Sequence, residues 1–223
     1  ANVVLLDINR EQADKIAARL TKEYGVEALA LSVDLSQDDD VRAVPGQILE
    51  KFGRLDILVN NAALVGTSNL KGWAVPFKEQ SAETWRKALE VNLTACFILT
   101  QACAEALEIS GHGSVINIGS IYGMVGPHMG LYEGTTLGNP GAYAASKGGL
   151  LQLTRWLASV MAPKVRVNFI TLGGIFREHT DPFLSRYSTD AAWPNGDRRG
   201  CERRGGISRQ RPRRLCHRTE SRG

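Results

Sequence analysis

Cysteine and histidine are scarce in this 223-residue chain, with four of each. Cys96 and Cys103 stand seven residues apart in one helical segment, Cys201 and Cys216 lie in a basic tail, and no pair has CxxC spacing. That argues against a disulfide framework or a zinc site, and the thiols read as buried or incidental in a reducing compartment. His112, His128, His179 and His217 are scattered, so no metal is assigned. No apolar run is long enough to cross a bilayer and no signal-peptide pattern is seen, so a cytoplasmic protein without a membrane partner is expected. No internal repeat is visible. A uniform basic surface is missing too: residues 191–223 carry ten arginines against three acids, while the remainder has seventeen basic and twenty acidic residues. The body is mildly acidic, so the net charge of +4 gives no argument for nucleic acid.

What is present is an alternation of strand and helix patterns, which argues for a doubly wound parallel sheet of the α/β class. Strands are expected at Asn2 to Leu6, Ala28 to Val33, Leu55 to Val59, Ser114 to Gly119 and Val165 to Thr171. Helical patterns run from Arg10 to Tyr24, from a Ser36 cap toward Phe52, from Ser81 to about Glu108, and from Ala142 to Ala162. The Pro45-Gly46 pair should disturb the second helix. A hydrophobic content of 43% suits one globular core.

The chemistry is concentrated in Gly141-Ala142-Tyr143-Ala144-Ala145-Ser146-Lys147. Tyr143 and Lys147 are four apart in a helical stretch, so both project from one face. An ammonium held beside a phenol favours the phenolate, which suits proton transfer to or from a hydroxyl or carbonyl. Alone, such a pair is more often a surface tyrosine beside a solvated lysine. Its neighbours change the reading: Asn60-Asn61-Ala62-Ala63 after an apolar strand, Asn92 within a helix, and Ser120 at the end of Ser114-Val115-Ile116-Asn117-Ile118-Gly119.

In this order the motifs resemble the short-chain dehydrogenase/reductase family, from Ala1 to about Tyr187. The resemblance implies a Rossmann-like fold and an NAD(P)-dependent oxidoreductase. It implies Tyr143 as general acid/base, with Lys147 lowering its pKa and binding the nicotinamide ribose. Ser120 would polarise the substrate oxygen, and Asn92 would hold a water of a proton relay. Asp7, at the end of the first strand, would accept hydrogen bonds from the adenosine ribose and repel a 2′-phosphate, which favours NAD over NADP. The alternative for Asp7 is a cap of the next helix. By the same resemblance Asp34 and Leu35 contact adenine, Asn60, Asn61, Ala62 and Ala63 lie along the ribose, and Gly173-Gly174-Ile175 positions the nicotinamide carboxamide. Leu172 stands where family members commonly have proline.

The family's glycine-rich turn between the first strand and first helix is not seen, so Ala1-Asn2-Val3-Val4-Leu5-Leu6-Asp7 reads as the second strand of the family's sheet. A sheet incomplete at both ends is therefore expected, with an unpaired edge in its middle. Residues 1–188 are read as a partial domain and 189–223 as a tail without apolar periodicity. Back-translated and shifted by one base, two stretches of that tail can encode segments resembling the family's C-terminal part, which points to a frameshift near Thr189-Asp190. A basic arm for nucleic acid and a disordered extension are the alternatives.

Twenty-two residues separate Ser120 from Tyr143, longer than the family's usual spacing, and the extra stretch should sit over the active site. Tyr132, Glu133, Thr135 and Thr136 offer hydrogen-bond partners to a sugar, amino sugar or polyol, though a solvent-exposed glycine-rich insertion would look the same. The other readings are a 3-oxoacyl carrier-protein reductase and a noncatalytic binding protein on the same fold. The expected partner is a small-molecule substrate, with a homo-oligomer if the chain is full length.

Overall fold

A computed structural model describes residues 1–65, 68–135 and 138–173. The 189–223 segment, Ile175 and Thr136 lie outside the described residues. The strands are β1 (Val3–Asp7), β2 (Ala28–Ser32), β3 (Ile57–Asn60), β4 (Ser114–Ser120) and β5 (Arg166–Leu172). The helices are α1 (Arg10–Tyr24), α2 (Asp38–Phe52), α3 (Ala82–Leu89), α4 (Ala95–Ile109) and α5 (Gly141–Val160). All the strand pairs are parallel, and helices make the crossovers between them. β1 pairs with β2 in one sheet, and β3, β4 and β5 form a second, in that order. Among the described residues β1 and β3 are each hydrogen-bonded on one side only.

One apolar core joins the two sheets. Leu31 of β2, Val41 and Val44 of α2, Leu58 of β3, Leu107 of α4 and Val115 of β4 all belong to it. Strand alternation sends Leu58 and Val115 to this face and Ile57 and Val59 to the other. On that other face α1 covers β1 and β2 through Ala13 and Ala17 against Ala30, small residues that let helix and sheet approach closely. Ile57 and Val59 of β3 stay 56% and 48% exposed.

Local chemistry explains most boundaries. The Asn9 side chain accepts from the Gln12 N–H at 3.0 Å and caps α1, which ends at Gly25 in the left-handed region at φ 65°. The Ser36 cap expected for α2 does not form: Ser36 bonds the Asp34 carboxylate through its N–H and its hydroxyl (2.9 and 2.7 Å), and the cap position falls to Gln37. Pro45 does not break α2 either. The helix runs through it, with Pro45, Val41, Val44 and Ile48 buried, so packing outweighs the lost N–H. The single helix expected from Ser81 divides into α3 and α4 around a π-helical turn, Glu90–Thr94, which contains Asn92.

A polar ladder crosses this core. Asn60 Nδ2 donates to Asn117 Oδ1 (2.8 Å) and to Thr100 Oγ1 (3.3 Å), and Asn117 Nδ2 donates to Thr154 Oγ1 (2.8 Å). It ties β3 and β4 to α4 and α5. The Asn60 side chain is thereby held inside the fold. Asn117→Ala should lower unfolding free energy by about 1–3 kcal/mol, because buried partners lose their hydrogen bonds. Urea unfolding checks this, and a change within about 0.5 kcal/mol, typical of a surface substitution, would contradict it.

Candidate active site

In parallel strands the carboxyl ends share one edge of each sheet, and the expected residues sit there. Ser120 ends β4, Asp7 ends β1, Asn61, Ala62 and Ala63 follow β3, and Gly173 follows β5. Tyr143 and Lys147 lie in the first two turns of α5, on one face as their spacing requires.

Lys147 is 3% exposed, and its Nζ donates to the Ile118 carbonyl of β4 at 2.8 Å. This bond ties α5 to β4 two residues before Ser120. The same ammonium lies 5.9 Å from the centroid of the Tyr143 ring. Burial pulls the Lys147 pKa below its usual 10.5, with the nearby Cys96 opposing. Burial likewise pushes the Cys96 thiol up to about 11, so it stays protonated at neutral pH and is not a nucleophile.

Gly123 brings the turn after Ser120 against α5. A Cβ there would lie 2.6 Å from the Lys147 carbonyl carbon, so only glycine permits the approach. The Ser120 hydroxyl accepts from the Tyr122 N–H at 3.2 Å, which orients its oxygen and leaves its proton available to a ligand.

Asn92 is buried in the π turn. Its Oδ1 accepts from the Leu64 N–H (2.7 Å), and its Nδ2 donates to the Leu64 carbonyl (3.0 Å) and to Ser146 Oγ (3.1 Å). Ser146 Oγ in turn donates to the Tyr143 carbonyl at 2.8 Å. The Asn92 side chain therefore locks the chain after β3 onto the helix that carries Tyr143. The sequence reading missed Ser146 and Trp73. Trp73 is buried in a cluster that Tyr143 packs against, and its Nε1 donates to the Val65 carbonyl at 2.7 Å. A lone tryptophan in a polar excursion was the only sequence signal for it.

The outer positions are more mixed. Asp7 is exposed and accepts from the Asn9 N–H at 2.8 Å, so it supports its own turn while keeping carboxylate surface toward solvent. Asp34 is occupied by Ser36, whose backbone and side-chain hydrogen bonds hold its carboxyl below the usual carboxylate range. Leu35 packs against the main core. Asn61, Ala62 and Gly173 are exposed. Among the described residues no cluster of metal-ligating side chains occurs, and no helix is long and apolar enough to cross a membrane.

Comparisons with known proteins point to one family. Residues 1–186 match the family model described as short chain dehydrogenase. The chain is 31% identical over 181 residues to trans-4-hydroxycyclohexanecarboxylate dehydrogenase of Sinomonas cyclohexanicum, covering 78% of this chain and 63% of the relative. Among solved structures it resembles NAD+-bound xylitol dehydrogenase, with a TM-score of 0.67, 28% identity, and coverage of 79% and 62% of the two chains. It also resembles a gluconate 5-dehydrogenase from Burkholderia cenocepacia J2315 in complex with NADP and tartrate, with a TM-score of 0.66, 27% identity, and coverage of 85% and 66%. The match thus spans less than two thirds of each of these three proteins.

Burial of Lys147 carries a consequence for stability. Because its folded pKa is depressed, the folded state is penalised while the ammonium is charged, and the penalty is relieved as pH rises from the folded value toward 10.5. Lys147→Met should be no less stable than the parent at about pH 7, with an advantage that shrinks at about pH 10. Urea unfolding at both values checks it, and an advantage that grows with pH would contradict it.

Proposed function

The chain belongs to the short-chain dehydrogenase family, and from that membership we propose that it is an oxidoreductase interconverting a secondary hydroxyl and a ketone with NAD as cofactor. The observation that carries this reading is the buried Lys147 ammonium beside the Tyr143 ring, fixed to the strand that ends in Ser120.

The residues fit a nicotinamide dinucleotide. An ammonium has three N–H groups, and among the described residues Lys147, almost wholly buried, has one hydrogen bond, to Ile118. Such a group suits the hydroxyls of a ribose. Asn61 and Ala62 are exposed at the end of β3, where small side chains let a ligand approach backbone. The nicotinamide ring, when bound, supplies the acceptor for the electron pair leaving the substrate carbon. Tyr143 as phenolate takes the substrate hydroxyl proton, and Lys147 stabilises that phenolate. Ser120 donates a hydrogen bond to the substrate oxygen. Asn92 positions α5 through Ser146, its amide engaged by Leu64 and Ser146 and its carbonyl accepting from Cys96 Sγ at 3.6 Å. Asp7 presents negative charge where an NADP phosphate would lie, which supports NAD.

The sugar, amino-sugar or polyol reading of the substrate drew on Tyr132, Glu133, Thr135 and Thr136. It has xylitol dehydrogenase among the similar structures on its side. Against it, the Tyr132 and Thr135 hydroxyls hydrogen-bond within their own segment. A 3-oxoacyl carrier-protein reductase is the second enzymatic reading. A purely binding protein is disfavoured because Ser120, Tyr143, Lys147 and Asn92 are all present.

Tyr143→Phe should lower turnover at least about 100-fold, the lower range for loss of a general acid–base group. NADH absorbance with a panel of secondary alcohols checks it, and near-parental activity would refute the assignment. NAD should bind more tightly than NADP, and Asp7→Ala should narrow the difference. An unchanged preference would leave Asp7 a turn-supporting residue.

A further inference from the structure

In the segment between Ser120 and Tyr143 the Tyr122, Tyr132 and Thr135 hydroxyls bond within the segment, while His128 and Glu133 are exposed. The Tyr122 and Tyr132 hydroxyls are 2.7 Å apart and hydrogen-bonded. Thr135 donates to the Tyr132 carbonyl through its hydroxyl (2.8 Å) and its N–H (3.1 Å), and the Leu131 N–H donates to the His128 carbonyl (3.1 Å). Both ends of the phenol pair are anchored. Tyr122 sits between Ser120, which its N–H bonds, and Gly123, which is pressed on the Lys147 backbone. Tyr132 follows Leu131, which is buried.

What the segment shows to solvent beside Ser120 is apolar. Met124 and Val125 are 46% and 48% exposed. Met124 Sδ accepts from Thr171 Oγ1 at 3.6 Å, and Thr171 pairs in register with Gly119, the residue before Ser120. This thioether therefore stands at the carboxyl ends of β4 and β5. Val125 is held by its N–H to the Ile121 carbonyl at 3.0 Å. A thioether and an isopropyl group give a polyol no partners for its hydroxyls, whereas an apolar body removes their surface from water.

We propose that the hydrogen-bonded hydroxyls of Tyr122 and Tyr132 clasp residues 121–135 so that Met124 and Val125 form a fixed apolar wall beside Ser120, and that this wall selects secondary alcohols and ketones with an apolar body over polyhydroxy ones. The inference rests on the oxidoreductase reading above and names the substrate class of the same site. Tyr122 and Tyr132 are positioning residues: they hold the wall and take no part in proton transfer.

The test uses the full chain with NAD, and cyclohexanol against xylitol as probes. The parent should oxidise cyclohexanol with kcat/KM at least about tenfold above that for xylitol. Tyr122→Phe and Tyr132→Phe should each raise KM for cyclohexanol by up to about tenfold, with a much smaller change in kcat, as expected when one hydrogen bond that positions the site is lost. The loss in the double variant should be less than the sum of the two single losses, because both remove the bond between the two hydroxyls. Preference for xylitol, a loss confined to kcat, or additive effects would overturn the proposal. If no alcohol of the wider panel yields NADH, the secondary-alcohol reading fails, and two readouts free of turnover still decide the clasp and wall. Amide hydrogen exchange across 122–135 should quicken in Tyr132→Phe. Saturation transfer from protein methyls to cyclohexanol should weaken in Met124→Gln. Unchanged exchange or unchanged transfer would overturn it.

Discussion

The bond from the Lys147 ammonium to the Ile118 carbonyl is the constraint on which the site depends. It takes a charge out of water and holds it under the helix that carries Tyr143, at a cost in stability that the surrounding packing has to offset. The same bond fixes α5 against β4, so Ser120, at the end of that strand, is placed relative to Tyr143 by one short connection. Gly123 makes the connection possible, since any side chain there would strike the Lys147 backbone. The arrangement is a tension typical of functional sites, where a buried charge that weakens the fold is kept for its chemistry.

Around that bond the protein builds rigidity from polar groups in its interior. The ladder Asn60–Asn117–Thr154, with Thr100 beside Asn60, ties two strands to two helices. The Asn92 amide, locked to both backbone groups of Leu64, reaches α5 through Ser146. In a low-dielectric core such hydrogen bonds are direction-specific, and an unmade one is costly, so they define one arrangement where apolar packing would tolerate several. The π turn at Glu90–Thr94 belongs to this scheme: the extra residue in the turn goes with Asn92 pointing into the fold.

Most of the architecture was legible in the strand and helix periodicities, because apolar alternation and 3.6-residue spacing report burial directly. The boundaries that moved did so for local reasons. Ser36 bonds back to Asp34 instead of capping α2, and packing carries α2 through Pro45. Tyr143, Lys147 and Ser120 were legible because their spacing on a helix and at a strand end is itself the signal. The burial of Asn60 follows from strand alternation, its sequence neighbours facing solvent while its own side chain faces the core. Ser146 and Asn117 could not be found from sequence, because their partners lie 54 and 57 residues away along the chain. The phenol pair was hidden differently: Tyr132 was read as a ligand group because nothing in the sequence shows that its hydroxyl meets Tyr122.

We propose that Lys147 sets the proton affinity of Tyr143 in an oxidoreductase. The pH dependence of kcat for alcohol oxidation, compared between the parent and Lys147→Met, tests it most directly. In the proposed oxidation Tyr143 acts as a phenolate, so activity should rise with pH through one ionisation, and that ionisation should move to higher pH once the ammonium is gone. A midpoint that stays in place in the variant would contradict the account.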